Sequence, residues 1–237
     1  MRFKLNFELE NEKIPIQYRK SIISFIKQSL SEYNAEYYKK FYNDKDTTIK
    51  PITFAVFFHN PIFEEDKIII EDKRIELNIS IADYETSIIL YNAFNHQKNK
   101  KFSLDKNSWT LKNINMLLEK TIYSEEITIK FMSPLVVRSH SRDNDYYYSF
   151  NDKEFKDILK INIKQELKIT NIPEEFVDNF EINAIKANKV IVKFYEKKIE
   201  TSIGIFKISG NKQLLKYLYD AGIGSKRSSG FGMFQII

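Results

Sequence analysis

The chain of 237 residues carries 37 lysines and arginines against 32 aspartates and glutamates, for a formal net charge of +5, and its residues are 43% hydrophobic and 29% charged. That is the composition of a folded, soluble protein with one large domain or two medium ones. The absence of cysteine excludes disulfides, thiolate metal ligands and cysteine nucleophiles, and His59, His96 and His140 are too scattered to hold a metal. No apolar run reaches the roughly 18 residues that cross a bilayer, so a cytoplasmic protein with no membrane partner is expected. The basic balance suits a polyanion, although the lysine-rich bias of an AT-rich genome would give the same charge.

In chain order, Phe3, Leu5, Phe7 and Leu9 alternate with Lys4, Asn6 and Glu8 and predict a half-buried strand. Ile22, Ile23, Phe25, Ile26 and Leu30 recur at helical spacing over Tyr18 to Leu30, and a short continuation runs from Glu32 to Phe41. Lys50 to Phe58 reads as a strand, followed by a hairpin of residues 67–70 and 75–81, a helix from Tyr84 to Phe94 and a strand from Trp109 to Leu118. Allowing one strand beyond the minimum, the order is β, α, β, β, α, β, the ferredoxin-like split unit.

The second half repeats that order. It has a strand at 127–131, a long polar loop from Pro134 to Asn151, an amphipathic helix over 152–168, strands at 180–185, 189–195 and 201–209, a helix over 211–221 and a last strand at 231–236. The expected architecture is α+β, two tandem ferredoxin-like (RRM-like) βαββαβ domains, residues 1–121 and 122–237. Between the last helix and strand lie four of the six glycines, in Gly222-Ile223-Gly224-Ser225-Lys226-Arg227-Ser228-Ser229-Gly230-Phe231-Gly232. Glycine permits positive φ and close backbone approach, so such a loop can turn N–H groups toward a phosphate while Lys226 and Arg227 add charge. A plain helix stop at Gly222 explains only the first glycine.

This pattern, glycine-apolar-glycine on both sides of five residues with basic members, resembles the signature of the repeat-associated RNA-binding (RAMP) superfamily of CRISPR systems. Within it the chain is most similar to the pre-crRNA processing endoribonucleases, the sixth Cas protein family. Lys50-Pro51-Ile52-Thr53-Phe54-Ala55-Val56-Phe57-Phe58 and Ser133-Pro134-Leu135-Val136-Val137-Arg138 are similar to that family too. The resemblance implies a partner, CRISPR repeat RNA (pre-crRNA), with an effector complex as a further one. It also implies metal-independent, cofactor-free cleavage by the neighbouring 2′-hydroxyl, giving a 2′,3′-cyclic phosphate.

Many members place a catalytic histidine in the helical segment before the strand matching 50–58. This chain has none there, and Tyr42 falls near that position with Lys39, Lys40 and Lys45 as neighbours. Tyr37, Tyr38, Phe41 and Tyr42 are equally suited to packing a short helix. The other candidate seat is Arg138-Ser139-His140-Ser141-Arg142 with Tyr146 to Tyr148, where arginines can pair with phosphate and a histidine can move protons. A solvated hairpin tip is the alternative there. His140 is the first catalytic candidate, followed by Tyr42, with Lys50 at the strand entry. Arg138, Arg142, Gly222, Gly224, Lys226, Arg227, Ser228, Gly230 and Gly232 are the RNA-binding candidates.

Overall fold

The computed structural model of the protein describes all residues except 43–48, 105–106, 142–143 and 196. The chain packs into two compact units, Met1–Lys50 with Val56–Leu118, and Pro51–Ala55 with Glu119–Ile237.

The first unit opens with β1 (Arg2–Leu9), whose Phe3, Leu5, Phe7 and Leu9 are buried as their alternation predicts. After the short β2 (Lys13–Pro15), α1 (Tyr18–Tyr33) buries Ile22, Phe25, Ile26 and Leu30. Asn34 ends α1 and starts α2 (Ala35–Phe41), its side-chain oxygen accepting the Tyr37 N–H at 2.8 Å. There follow β3 (Ile52–Phe58), whose first four residues belong to the second unit, then β4 (Ile62–Phe63), β5 (Lys67–Ile69) and β6 (Arg74–Ile81). The helix α3 (Tyr84–Gln97) is capped by Asp83, and β7 (Lys101–Leu104) and β8 (Asn107–Leu117) close the unit. The sheet order is β3-β6-β1-β8-β7. Phe7 sits edge-on to both Phe25 and Trp109 at the centre of the core, 4.9 and 6.0 Å between ring centroids.

The second unit runs β9 (Glu126–Phe131), β10 (Val137–His140), β11 (Asp145–Tyr148), α4 (Phe155–Leu167), β12 (Glu181–Phe194), β13 (Lys197–Ser209), α5 (Lys212–Ala221) and β14 (Phe234–Ile236). Its main sheet has the order β12-β13-β9-β14. Counting only the strands of each main sheet and leaving out the edge strand β7, both sheets place their second, third, first and fourth strands side by side. Both are therefore ferredoxin-like, and the α+β class read from the sequence holds.

Three segments differ from the sequence reading. Residues 67–70 and 75–81 do not form the expected hairpin, because β5 pairs with β2 and β4 in a small separate sheet while β6 lies between β3 and β1 in the main one. The polar stretch after Pro134 is not an irregular loop, because β10 and β11 pair antiparallel from Val137↔Tyr148 to His140↔Asp145. The break expected between the strands at 180–185 and 189–195 is absent, since β12 runs unbroken through it with only a register shift between Ala184 and Lys186. Gly204 on β13 makes that passage possible, because a Cβ there would lie 2.2 Å from the Lys186 carbonyl oxygen.

Candidate nucleic-acid interface

The glycine loop is built on close backbone approach. Ile223 N–H donates to the Gly232 carbonyl at 2.9 Å, so the two glycine-apolar-glycine triplets lie side by side. Ile223 and Phe231 are fully buried between them. A Cβ on Gly232 would sit 1.9 Å from the Ile223 oxygen, one on Gly224 2.4 Å from the Val136 oxygen, and one on Gly230 2.3 Å from the Phe54 ring. All four glycines have φ between 73° and 84°. The N–H groups of Gly222, Gly230 and Gly232 donate to Leu218, Arg227 and Pro134. Packing thus accounts for the four glycines, where the sequence suggested an amide cradle.

The three stretches singled out in the sequence meet here, within the second unit. Thr53 Oγ1 donates to the Phe231 carbonyl at 2.7 Å, and Phe54 fills the space over Gly230. Met233 N–H donates to Ser133 Oγ at 3.0 Å, and Ser225 N–H to the Val136 carbonyl at 2.7 Å.

The two basic residues of the loop part company. Arg227, expected at a phosphate, is buried, pairing through Nε with Glu166 at 2.8 Å and donating from Nη1 to the Ala221 carbonyl. Burial pushes the Glu166 carboxyl up against the pull of Arg227. Arg227 braces the loop on α4, because an arginine at this depth needs a carboxylate beside it. Lys226 instead reaches over the Phe194 and Tyr147 rings, 5.3 and 6.0 Å from their centroids. Burial and the Arg138 charge lower its pKa, opposed by Asp145. Ser228 is half-buried.

Beside Lys226, one face of the β10–β11 hairpin carries a polar cluster. Alternation puts Arg138 and His140 on the same face, and the register sets Tyr147 and Asp145 directly opposite them. Asp145 Oδ1 meets His140 Nδ1 at 2.6 Å, Arg138 Nη1 donates to both Asp145 oxygens at 3.2 and 3.3 Å, and the Tyr147 hydroxyl donates to Oδ2 at 3.2 Å. Burial would raise the Asp145 carboxyl, but the bonds from His140, Arg138 and Tyr147 and the Arg138 charge bring it down to about 2. The His140 side chain is 70% exposed and that of Asp145 15%, so the carboxylate lies beneath an open imidazole. Asn162 of α4 fixes the hairpin, accepting from Arg138 N–H, donating to its carbonyl and accepting from Ser225 Oγ. Arg142 lies outside the described residues.

In the first unit, Tyr42 and Lys50 come together. The Lys50 ammonium is 5.0 Å from the centroid of the Tyr42 ring, and Lys27 of α1 approaches the same ring at 5.0 Å. Burial, with a smaller push from Tyr38, raises the Tyr42 hydroxyl above its ordinary range and keeps it protonated. Burial and the neighbouring Lys27 lower Lys50. Lys39 and Lys40 lie in the last turn of α2, and Lys45 is outside the described residues. His59 approaches Glu76 at 3.5 Å and His96 contacts Lys100, so neither joins a cluster like that of His140.

Comparison with known proteins now bears on this geometry. The family described as CRISPR associated protein Cas6, C-terminal, matches residues 117–236, more than half of the chain. The chain belongs to the Cas6 family. A CRISPR-associated endoribonuclease-like protein Cas6 from Pyrococcus furiosus is 28% identical over 147 residues, 60% of this chain and 60% of that protein, so the match spans less than two thirds of the relative. An endoribonuclease-like protein Cas6nc from Pyrococcus horikoshii is 24% identical over 223 residues, 86% of this chain and 92% of that protein. In fold, the solved structure of a Cas6-related gene product from Pyrococcus furiosus matches with a TM-score of 0.87 at 23% identity, covering 100% of this chain and 98% of that one.

Within this Cas6 chain, sequence reasoning passed over Lys27, Asp145 and Asn162. The spacing Arg138-x-His140 and Asp145-x-Tyr147, read as two strands joined by a turn, would have put all four side chains on one face. Lys27 and Asn162 carry no such local signal, because each reaches its place only when its helix packs against another part of the chain.

Proposed function

We propose that this Cas6-family chain binds CRISPR repeat RNA and cleaves it without metal, the 2′-hydroxyl attacking the adjacent phosphate to leave a 2′,3′-cyclic phosphate. The observation that carries the reading is the hairpin cluster, which sets an exposed imidazole on the Asp145 carboxylate that Arg138 also pairs, with Lys226 of the glycine loop interacting with both Arg138 and Asp145. Arg138 and Lys226 hold the phosphate and stabilise its developing charge, Ser228 and the glycine positions keep the loop in place, and His140 moves the proton. The Lys27, Tyr42 and Lys50 group is a second RNA contact of the first unit. Its tyrosine, held protonated, can donate a hydrogen bond but is a poor base. An effector complex that receives the product RNA is the further partner in this reading.

The test is cleavage of end-labelled repeat RNA in EDTA. His140→Ala loses on the order of a hundredfold in rate with binding intact, Tyr42→Phe stays within a few-fold of the parent, and a 2′-deoxy substrate is not cut. Full cutting by His140→Ala would sink the assignment. A second reading, an RNA-holding subunit that does not cut, is favoured by the lack of any histidine before His59. Tight binding with no cutting by the unaltered protein would establish it.

A further inference from the structure

We propose that Asp145 is a positioning residue that fixes the His140 imidazole with its proton on Nδ1 and its lone pair on the exposed Nε2, so that His140 serves as the base toward the RNA. The inference rests on the cleavage reading above for its role, but its physical content stands on the hairpin alone. His140 and Asp145 are paired residues of β10 and β11, and their side chains meet at 2.6 Å. An ionised carboxylate only accepts hydrogen bonds, so the imidazole nitrogen facing it must be the donor. In a neutral imidazole the other nitrogen is then bare, and here it belongs to a side chain that is 70% exposed.

Asp145 itself is held from the other side. Arg138 Nη1 bonds both its oxygens and the Tyr147 hydroxyl bonds one, so the carboxylate cannot swing away from the ring. Among the described residues, the charged and titratable groups around the histidine are Arg138 on β10, Asp145 and Tyr147 on β11, and Lys226 on the glycine loop, which Lys197 of β13 also influences. In the step itself the 2′-hydroxyl proton passes to His140 Nε2, the 2′-oxygen bonds to phosphorus, and the bond from phosphorus to the 5′-oxygen breaks. The departing 5′-oxygen takes a proton from water.

The test compares Asp145→Ala and Asp145→Asn with the parent by nitrogen and carbon chemical shifts of the histidine rings. His140→Ala assigns the signal among the three histidines. In the parent, the neutral His140 ring carries its proton on Nδ1. Asp145→Asn, whose amide oxygen still accepts, keeps that tautomer. Asp145→Ala loses the tautomer preference, and its cleavage rate falls about a hundredfold with RNA binding unchanged. A His140 tautomer that does not move in Asp145→Ala overturns the positioning role, whatever the RNA assay gives. A tautomer that shifts as expected while His140→Ala still cuts like the parent supports the pairing and fails the cleavage reading alone.

Discussion

At the scale of single residues, the glycine loop separates backbone need from side-chain use. Gly232 has φ of 73°, and a Cβ would stand 1.9 Å from a backbone oxygen that cannot move aside. Lys226 also has a left-handed backbone, φ 59°, yet keeps a long side chain where glycine would be cheaper. Strain of about 1 kcal/mol at such a position is tolerated where the side chain has work to do. Gly232→Ala is therefore expected to cost about 4 kcal/mol or more and to lower Tm steeply, whereas Lys226→Gly leaves Tm unchanged or slightly raised while weakening RNA binding. Thermal melts of both, with RNA titrations of the second, check the contrast. A Gly232→Ala protein as stable as the parent would mean the triplets do not lie as closely as described.

Among the elements, Asn162 ties the hairpin, α4 and the glycine loop together with one amide group. Asn162→Leu leaves the Arg138 N–H and carbonyl without partners, a loss of about 1 to 3 kcal/mol. Hydrogen exchange of the β10–β11 amides should speed up in that variant while the β1 amides of the first unit keep their protection. The same hairpin marks where the sequence stopped being readable. Alternation and helical spacing announced β1, α1, α4 and α5 because each buries one regular face. The stretch from Arg138 to Tyr148 is polar on both faces, so its strands left no apolar alternation to find. The glycine triplets announced a special loop but not its purpose, since close packing and anion binding ask for the same residue. Arg227 was misplaced for a related reason: its buried carboxylate partner, Glu166, is distant in sequence.

Over the whole molecule, positive charge is not concentrated by composition alone, because many lysines are neutralised by acidic neighbours, as Lys4 is by Glu76, Lys112 by Glu8 and Lys189 by Glu200. In the cleavage reading the RNA is held by a small set of cations. The salt dependence of binding should then be moderate, and Arg138→Ala should reduce the slope of log K against log salt by roughly 1 or less for single-stranded RNA. An unchanged slope would place the phosphate elsewhere. The bond from Thr53 to Phe231 has one more consequence, and it concerns time. Its partners are 178 positions apart. At roughly 5 to 20 residues per second a ribosome needs about 10 to 35 seconds to travel from one to the other. For all that interval the segment from Pro51 to Ala55, with Ile52, Thr53, Phe54 and Ala55 destined for burial, has been made and its place in the second unit has not. The earliest piece of that unit to be born is among the last to come home.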